Sequence, residues 1–336
     1  MFGVRSPKII YGFAAGRVKV LETRMVSRAR IDRLIEAETL DEIHRVLAET
    51  DYGPELRAAD TIEEVEAALD QRLGQAYLLL RESNVPAAMA RYFQCRHDFV
   101  NLRILLKSGF GRQVGVPLSS MGEVSPDKVE ALVKQGSFAG LPDHLRAAAP
   151  EAVARYGESR RFDTIDAIID RHYFATLLRL ATRLRSRWIF QYTKLLIDLA
   201  NGRAVLRSAR RQTGAAEPVY HLIPGGDIDI DTWTALAFEA DTTGRFIEML
   251  PSGTLREPVA QWLISGAAVG DYDLMADAVL IEFLVTAHRF TVGPEPVFAY
   301  VAAREHEGKL LRMIIFGHLS GLPPAKLKGR VSRVYE

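Results

Sequence analysis

The run Asp98-Phe-Val-Asn101-Leu-Arg103 returns one hundred positions later as Asp198-Leu-Ala-Asn201-Gly-Arg203, and Leu106-Lys107-Ser108 is answered by Leu206-Arg207-Ser208. At the same offset, Ile62-Glu63 corresponds to Phe162-Asp163, Glu66 to Asp166, Ala67 to Ala167 and Asp70 to Asp170. A third, more divergent copy reads Glu307-Gly-Lys-Leu310-Leu311-Arg312, with Met313-Ile-Ile-Phe316 where the first copy has Ile104-Leu-Leu106. A repeat of about a hundred residues restricts a chain to architectures in which like units pack side by side. The expected division is 1–115, 116–218 and 219–336, the last unit carrying a C-terminal tail.

Ala, Leu, Arg and Glu fill a helical periodicity through most of the chain, and alternating β-branched runs are nearly absent, which predicts an all-α fold. Each unit reads as a group of small helices followed by a longer helix pair. The small helices fall at 31–52, 124–145 and 231–250, and the long pairs at 62–108, 162–211 and 272–317. Pro- and Gly-rich joints separate the units, at Gly115 to Gly122 and from Gln212 through Pro224-Gly-Gly226. Ser125-Pro126-Asp127 and Asp229 before Ile230-Asp231 carry helix-initiation signals.

Lys and Arg total 43 against 42 Asp and Glu, a formal charge of +1, which argues against a nucleic-acid footprint. Cys95 is the only cysteine, so an intrachain disulfide and a Cys-based zinc site are excluded, and a reducing, cytoplasmic setting is expected. No stretch reaches the roughly 18 apolar residues of a membrane span, and no targeting segment is expected. Gly12-Phe-Ala-Ala-Gly16-Arg17 lacks the Lys-Ser/Thr of a phosphate-binding loop. The eight histidines show no i, i+4 pair, and Arg304-Glu305-His306-Glu307 reads as an exposed polar helix rather than a zinc helix. No catalytic, cofactor or metal residue is therefore expected.

The candidate network is the repeated polar set: Asp98, Asn101, Arg103, Asp198, Asn201, Arg203, Glu307 and Arg312. On a helix, Asp98 borders the face made by Phe99, Leu102, Leu105 and Leu106, Asn101 borders the other edge, and Arg103 points roughly 140° from Asp98. Each must then find its partner on a neighbouring helix, in a neighbouring unit or on another protein. Two roles stay open: a polar network that fixes helix register, since a part-buried charge is retained only when paired, and direct contact with a partner.

Tyr11-Gly-Phe-Ala-Ala-Gly-Arg17-Val-Lys-Val-Leu-Glu22, Glu49-Thr-Asp51-Tyr52-Gly53, the Asp98-to-Ser108 motif, Glu305 to Arg312 and Gly321-Leu-Pro323 together resemble the C subunits of the V/A-type rotary ATPases, relatives of the eukaryotic V-ATPase d subunit. The resemblance spans essentially the whole chain, and its specificity lies in the joint order and spacing. It implies a funnel of three similar helical lobes about a pseudo-threefold axis. It also implies a non-catalytic rotor part, without cofactor, that receives the central shaft made by the D and F subunits and sits on the membrane proteolipid ring at its cytoplasmic face. Two departures, Leu310 in place of Asn101 and Asn201, and Gly202 in place of Leu102, weigh against three identical polar networks. The alternative from another class is an α-helical adaptor or scaffold unconnected to rotation.

Overall fold

The computed structural model describes residues 7–56, 59–211, 221–238, 248, 255–264, 269–331 and 333–336. The expected boundary at 218/219, the joint from Gln212 to Pro218 and much of the stretch from 239 to 250 lie outside the described residues. Among the described residues the regular structure is helical throughout: α1 (Pro7–Glu22), α2 (Arg28–Glu36), α3 (Leu40–Ala48), α4 (Gly53–Leu56), α5 (Ile62–Glu82), α6 (Ala87–Gly109), α7 (Pro126–Lys134), α8 (Asp143–Arg146), α9 (Ala148–Ser159), α10 (Phe162–Arg183), α11 (Arg187–Arg211), α12 (Ile230–Phe238), α13 (Arg256–Ile264), α14 (Val269–Val285), α15 (Pro294–Leu319) and α16 (Pro324–Lys328). Two compact units result, one made of residues 1–87 with 266–336 and the other of 88–265.

In the first unit α15 packs along α1 and α5, so the C-terminal part of the chain completes the core of its N-terminal part. Ile31, Leu34 and Ile35 of α2, Ile43 and Leu47 of α3, and Val65 and Leu69 of α5 close over Leu311, Ile314 and Ile315 of α15. The i, i+3, i+4 spacing of those residues is what aims them at one core. The start of α5 is fixed by a capping box: Thr61 Oγ1 accepts from the Glu64 amide at 3.2 Å, and the Glu64 carboxylate accepts from the Thr61 amide at 3.1 Å.

In the second unit α10 packs on α9 and α11, and α11 on α12. The predicted start at Asp229 is seen, its carboxylate accepting from the Asp231 amide at 2.9 Å. Ser125 does occupy the N-cap of α7, but its side chain makes no capping bond, and Pro126 opens the helix.

Candidate functional site: buried carboxylates that anchor the motif helices

Asp98 lies midway along α6 with no solvent exposure. Its Oδ2 accepts from the Glu123 amide at 3.1 Å and its Oδ1 from the Val124 amide at 3.3 Å, the two residues that lead into α7. His144 Nε2 stands 2.9 Å from Oδ2 and completes the set. One helical turn on, Asn101 makes a peptide-like pair with Ser119, accepting from its amide and donating to its carbonyl, both at 2.8 Å. The loop that enters the next group of small helices is thus held at two places by one face of α6.

α11 repeats the arrangement. Asp198 accepts from the Asp227 amide at 2.8 Å, the Ile228 amide at 3.3 Å and Trp233 Nε1 at 3.4 Å, while Asn201 pairs with the backbone of Ile223 at 2.7 and 2.8 Å. Burial pushes the Asp198 carboxyl up to about 6, against the downward pull of the Asp227 and Ile228 amides and of Trp233. Both loops place a glycine against the carboxylate. A Cβ on Gly122 would overlap Asp98 Oδ1 and lie 3.0 Å from its Cγ; one on Gly226 would overlap Asp198 Oδ1 and lie 2.7 Å from its Cγ.

On α15, Glu307 accepts from the Val26 amide at 2.5 Å, just before α2, and from Tyr52 Oη at 2.8 Å. The residue preceding Val26 is Met25, where the other two loops have glycine. Glu307 is one methylene longer than Asp98 and Asp198, so its carboxylate reaches the loop from a longer side chain. Leu310 has no side-chain amide to offer here, and Arg304 enters instead. Its guanidinium donates to Glu307 at 2.7 Å, Asp51 at 2.9 Å and Tyr300 Oη at 3.1 Å, and approaches the Leu21 carbonyl at 3.5 Å. Arg72 flanks Asp51 from α5 at 2.7 Å. Burial is the largest single influence on Arg304 and works against its charge, but Glu307, Tyr300 and Tyr52 together outweigh it and raise the guanidinium pKa, whereas burial and then Glu307 raise that of Tyr52.

Arg304 and Glu307 are 3 % and 4 % exposed, so the expectation of an exposed polar helix at 304–307 is corrected. Charge alone suggested the surface; acceptors from its own helix and from the segments at Leu21 and Asp51 offset the desolvation of the guanidinium.

Two of the repeated arginines, Arg103 and Arg312, bind the acids that the repeat set at the same offset. Arg103 pairs with Asp170 and, at 3.5 Å, with Asp166, which Lys107 also reaches at 2.6 Å. Arg312 forks onto Glu66 at 2.7 and 2.8 Å and lies 3.5 Å from Asp70. Burial pushes Asp170 up and Arg103 opposes it. Arg203 holds the corresponding place on α11, half-buried. Arg103 does not meet the acid of its own motif, and neither does Arg312, as the wide angular separation on the helix requires.

His144, Trp233 and Tyr52, the ring donors, and Gly122 and Gly226 were not among the residues expected from the sequence. The glycines were legible as joints; the rings carry no fixed offset from their carboxylates. Asp98, Glu123 and His144 also bring ligand atoms within 4.8 Å of one another. The Asp98 oxygens already accept three hydrogen bonds, Glu123 is paired with Arg91 at 2.8 Å, and the place of His144 is taken by Trp233 or Tyr52 in the other anchors. The cluster therefore has the chemistry of a hydrogen-bonded anchor, not of a metal centre.

Fold and site define an all-helical protein whose buried carboxylates tie each motif helix to the loop entering a group of small helices. The chain belongs to the ATP synthase (C/AC39) subunit family, whose model matches residues 14–330. It is 24 % identical over 317 residues to the C subunit of the V-type sodium ATPase of Enterococcus hirae, covering 94 % of this chain and 96 % of that protein. It is also 26 % identical over 344 residues to the C subunit of the A-type ATP synthase of Haloquadratum walsbyi (94 % and 96 % covered), and 25 % over 342 residues to that of Thermococcus kodakarensis (96 % and 91 %).

Proposed function

We propose that this chain is a non-catalytic rotor subunit of a V/A-type ATPase or ATP synthase, joining the shaft of the D and F subunits to the proteolipid ring and transmitting torque for proton or sodium transport. The observation that carries the proposal is family membership over nearly the whole chain, residues 14–330, with relatives named as the C subunits of such enzymes. The anchors support it. Every motif carboxylate is committed to backbone and ring donors, an arrangement suited to rigidity and ill suited to a nucleophile or general base, which needs a free lone pair facing substrate.

A part that carries torque must not shear internally. Charge-assisted hydrogen bonds from backbone amides to a buried carboxylate contribute about 1.5–3 kcal/mol each and hold a narrow range of geometry. The proposed division into three units, 1–115, 116–218 and 219–336, puts one such anchor at each passage from a motif helix to the next small helices, with Glu307 returning to the first. The eight repeated polar residues then act as internal struts rather than partner contacts. Among the described residues no helix is long and apolar enough to cross a membrane, which fits a peripheral position on the cytoplasmic face of the complex.

The test is a complex assembled without this chain. ATP hydrolysis by the soluble A/B head should persist while ion pumping is lost. Pumping at the normal ratio per ATP in its absence would refute the torque role.

A further inference from the structure

We propose that the cavity at the C-terminal end of α10 is a binding site for a phosphate group, supplied by a phospholipid headgroup or by free phosphate. α10 turns Thr176, Arg179 and Arg183 into a cavity of about 180 Å³, with Arg91, Glu123 and His144 on the facing wall. The acids of that wall are engaged: Glu123 with Arg91 at 2.8 Å, Asp143 with Arg146 at 2.9 Å, and Asp98 with His144 and two amides. The arginines of α10 are not balanced in the same way. Arg179 donates to Thr176 Oγ1 at 2.8 Å, and among the described residues no carboxylate lies within ion-pairing distance of Arg179 or Arg183.

The positive charge continues past the helix. Arg179, Arg183, Arg185 and Arg187 place four guanidinium groups in nine residues with no acid among them, and Arg185 and Arg187 likewise lack a described carboxylate partner. Like charges at i and i+4 repel on a helix. The helix dipole favours one cation in the last turn but does not reach the residues beyond it. Arg185 also adopts a left-handed conformation (φ 54°), where the turn between α5 and α6 uses Asn84 (φ 52°), a residue better suited to it. A multiply charged oxyanion answers the accumulated charge. Its oxygens match the guanidinium fork, and its charge offsets the repulsion. A divalent cation is disfavoured because the carboxylates it would need are already bonded.

The inference does not rest on the rotor proposal, and a chain that failed the pumping test could still pass this one. The full-length chain is titrated with inorganic phosphate by calorimetry and sedimented with vesicles of phosphatidylcholine alone or with phosphatidylglycerol. The comparison is Arg179→Ser/Arg183→Ser/Arg185→Ser, whose unchanged melting checks the fold. Wild type should bind at least one probe, and each lost arginine should weaken vesicle binding about fivefold. Vesicle binding that requires phosphatidylglycerol and is displaced by phosphate assigns a headgroup, whereas phosphate binding without vesicle binding assigns the free ion. Absence of binding to both probes, equal binding by the triple variant, or binding of a poly-glutamate peptide alone would overturn the proposal, the last assigning the arginines to an acidic protein partner.

Discussion

Gly226→Ala is the sharpest probe of the anchors, because the substitution touches nothing except the carboxylate it faces. Gly226 does not have a positive φ, so alanine meets no backbone strain there. Its new Cβ would overlap Asp198 Oδ1 and stand 2.7 Å from Cγ. Asp198 is enclosed by α11, Trp233 and the 222–228 loop and is only 2 % exposed, so the carboxylate cannot rotate to solvent. Either the loop lifts or the carboxylate turns, and both outcomes forfeit the bonds from the Asp227 and Ile228 amides. At about 1.5–3 kcal/mol per bond to a charged acceptor, less what relaxation recovers, the cost is about 3–5 kcal/mol. Denaturant unfolding of wild type, Gly226→Ala, Asp198→Ala and the double variant closes a cycle. In the Asp198→Ala background the same Gly226→Ala change should cost under about 1 kcal/mol, since the atoms it collides with are gone. A Gly226→Ala protein as stable as wild type, or one whose cost persists without Asp198, would refute the close-approach argument. Gly74, with nothing within 4 Å of a Cβ inside α5, is the control, where alanine should stabilise by about 0.5–1 kcal/mol.

Arg304→Ala should be among the most destabilising substitutions in the first unit, about 3–5 kcal/mol by chemical denaturation, because it strands buried Glu307 and part-buried Asp51; a loss under about 1 kcal/mol would contradict the buried network. Arg103→Ala and Arg312→Ala leave partly exposed acids and should each cost only about 1–2 kcal/mol, with a cost that shrinks in high salt; salt-independent losses would show that packing, not charge, is at stake. For Asp198 the folded pKa, about 6, lies above the ordinary 3.8, so the folded state holds the proton more tightly than the unfolded chain and its stability falls as pH rises through that window. Asn does not titrate, so the stability of wild type minus that of Asp198→Asn should drop by about 2–3 kcal/mol between about pH 4 and 6.5; a flat difference would mean that the carboxyl is not raised.

The sequence by itself determined the class and the rhythm of this protein. Helical periodicity, Pro/Gly joints and the repeat place the long helices α5, α6, α10 and α11 where they are seen, and the equal offsets of Glu66/Asp166 and Asp70/Asp170 mark the acids that Arg312 and Arg103 bind. Such signals are local or periodic, and a one-dimensional string records them directly. Tertiary structure alone decided which segment each motif residue grips. His144 lies 46 residues from Asp98, Trp233 35 from Asp198 and Tyr52 255 before Glu307, three ring donors of different chemistry at unrelated separations. Any N–H or O–H that arrives at the carboxylate serves, so the identity and spacing of the donor are free to vary, and no pattern survives to be read. Burial of Arg304 was hidden for the same reason: a guanidinium is placed inside by the sum of Glu307, Asp51 and Tyr300 around it, and two of those three lie on its own helix while the third comes from the far end of the chain.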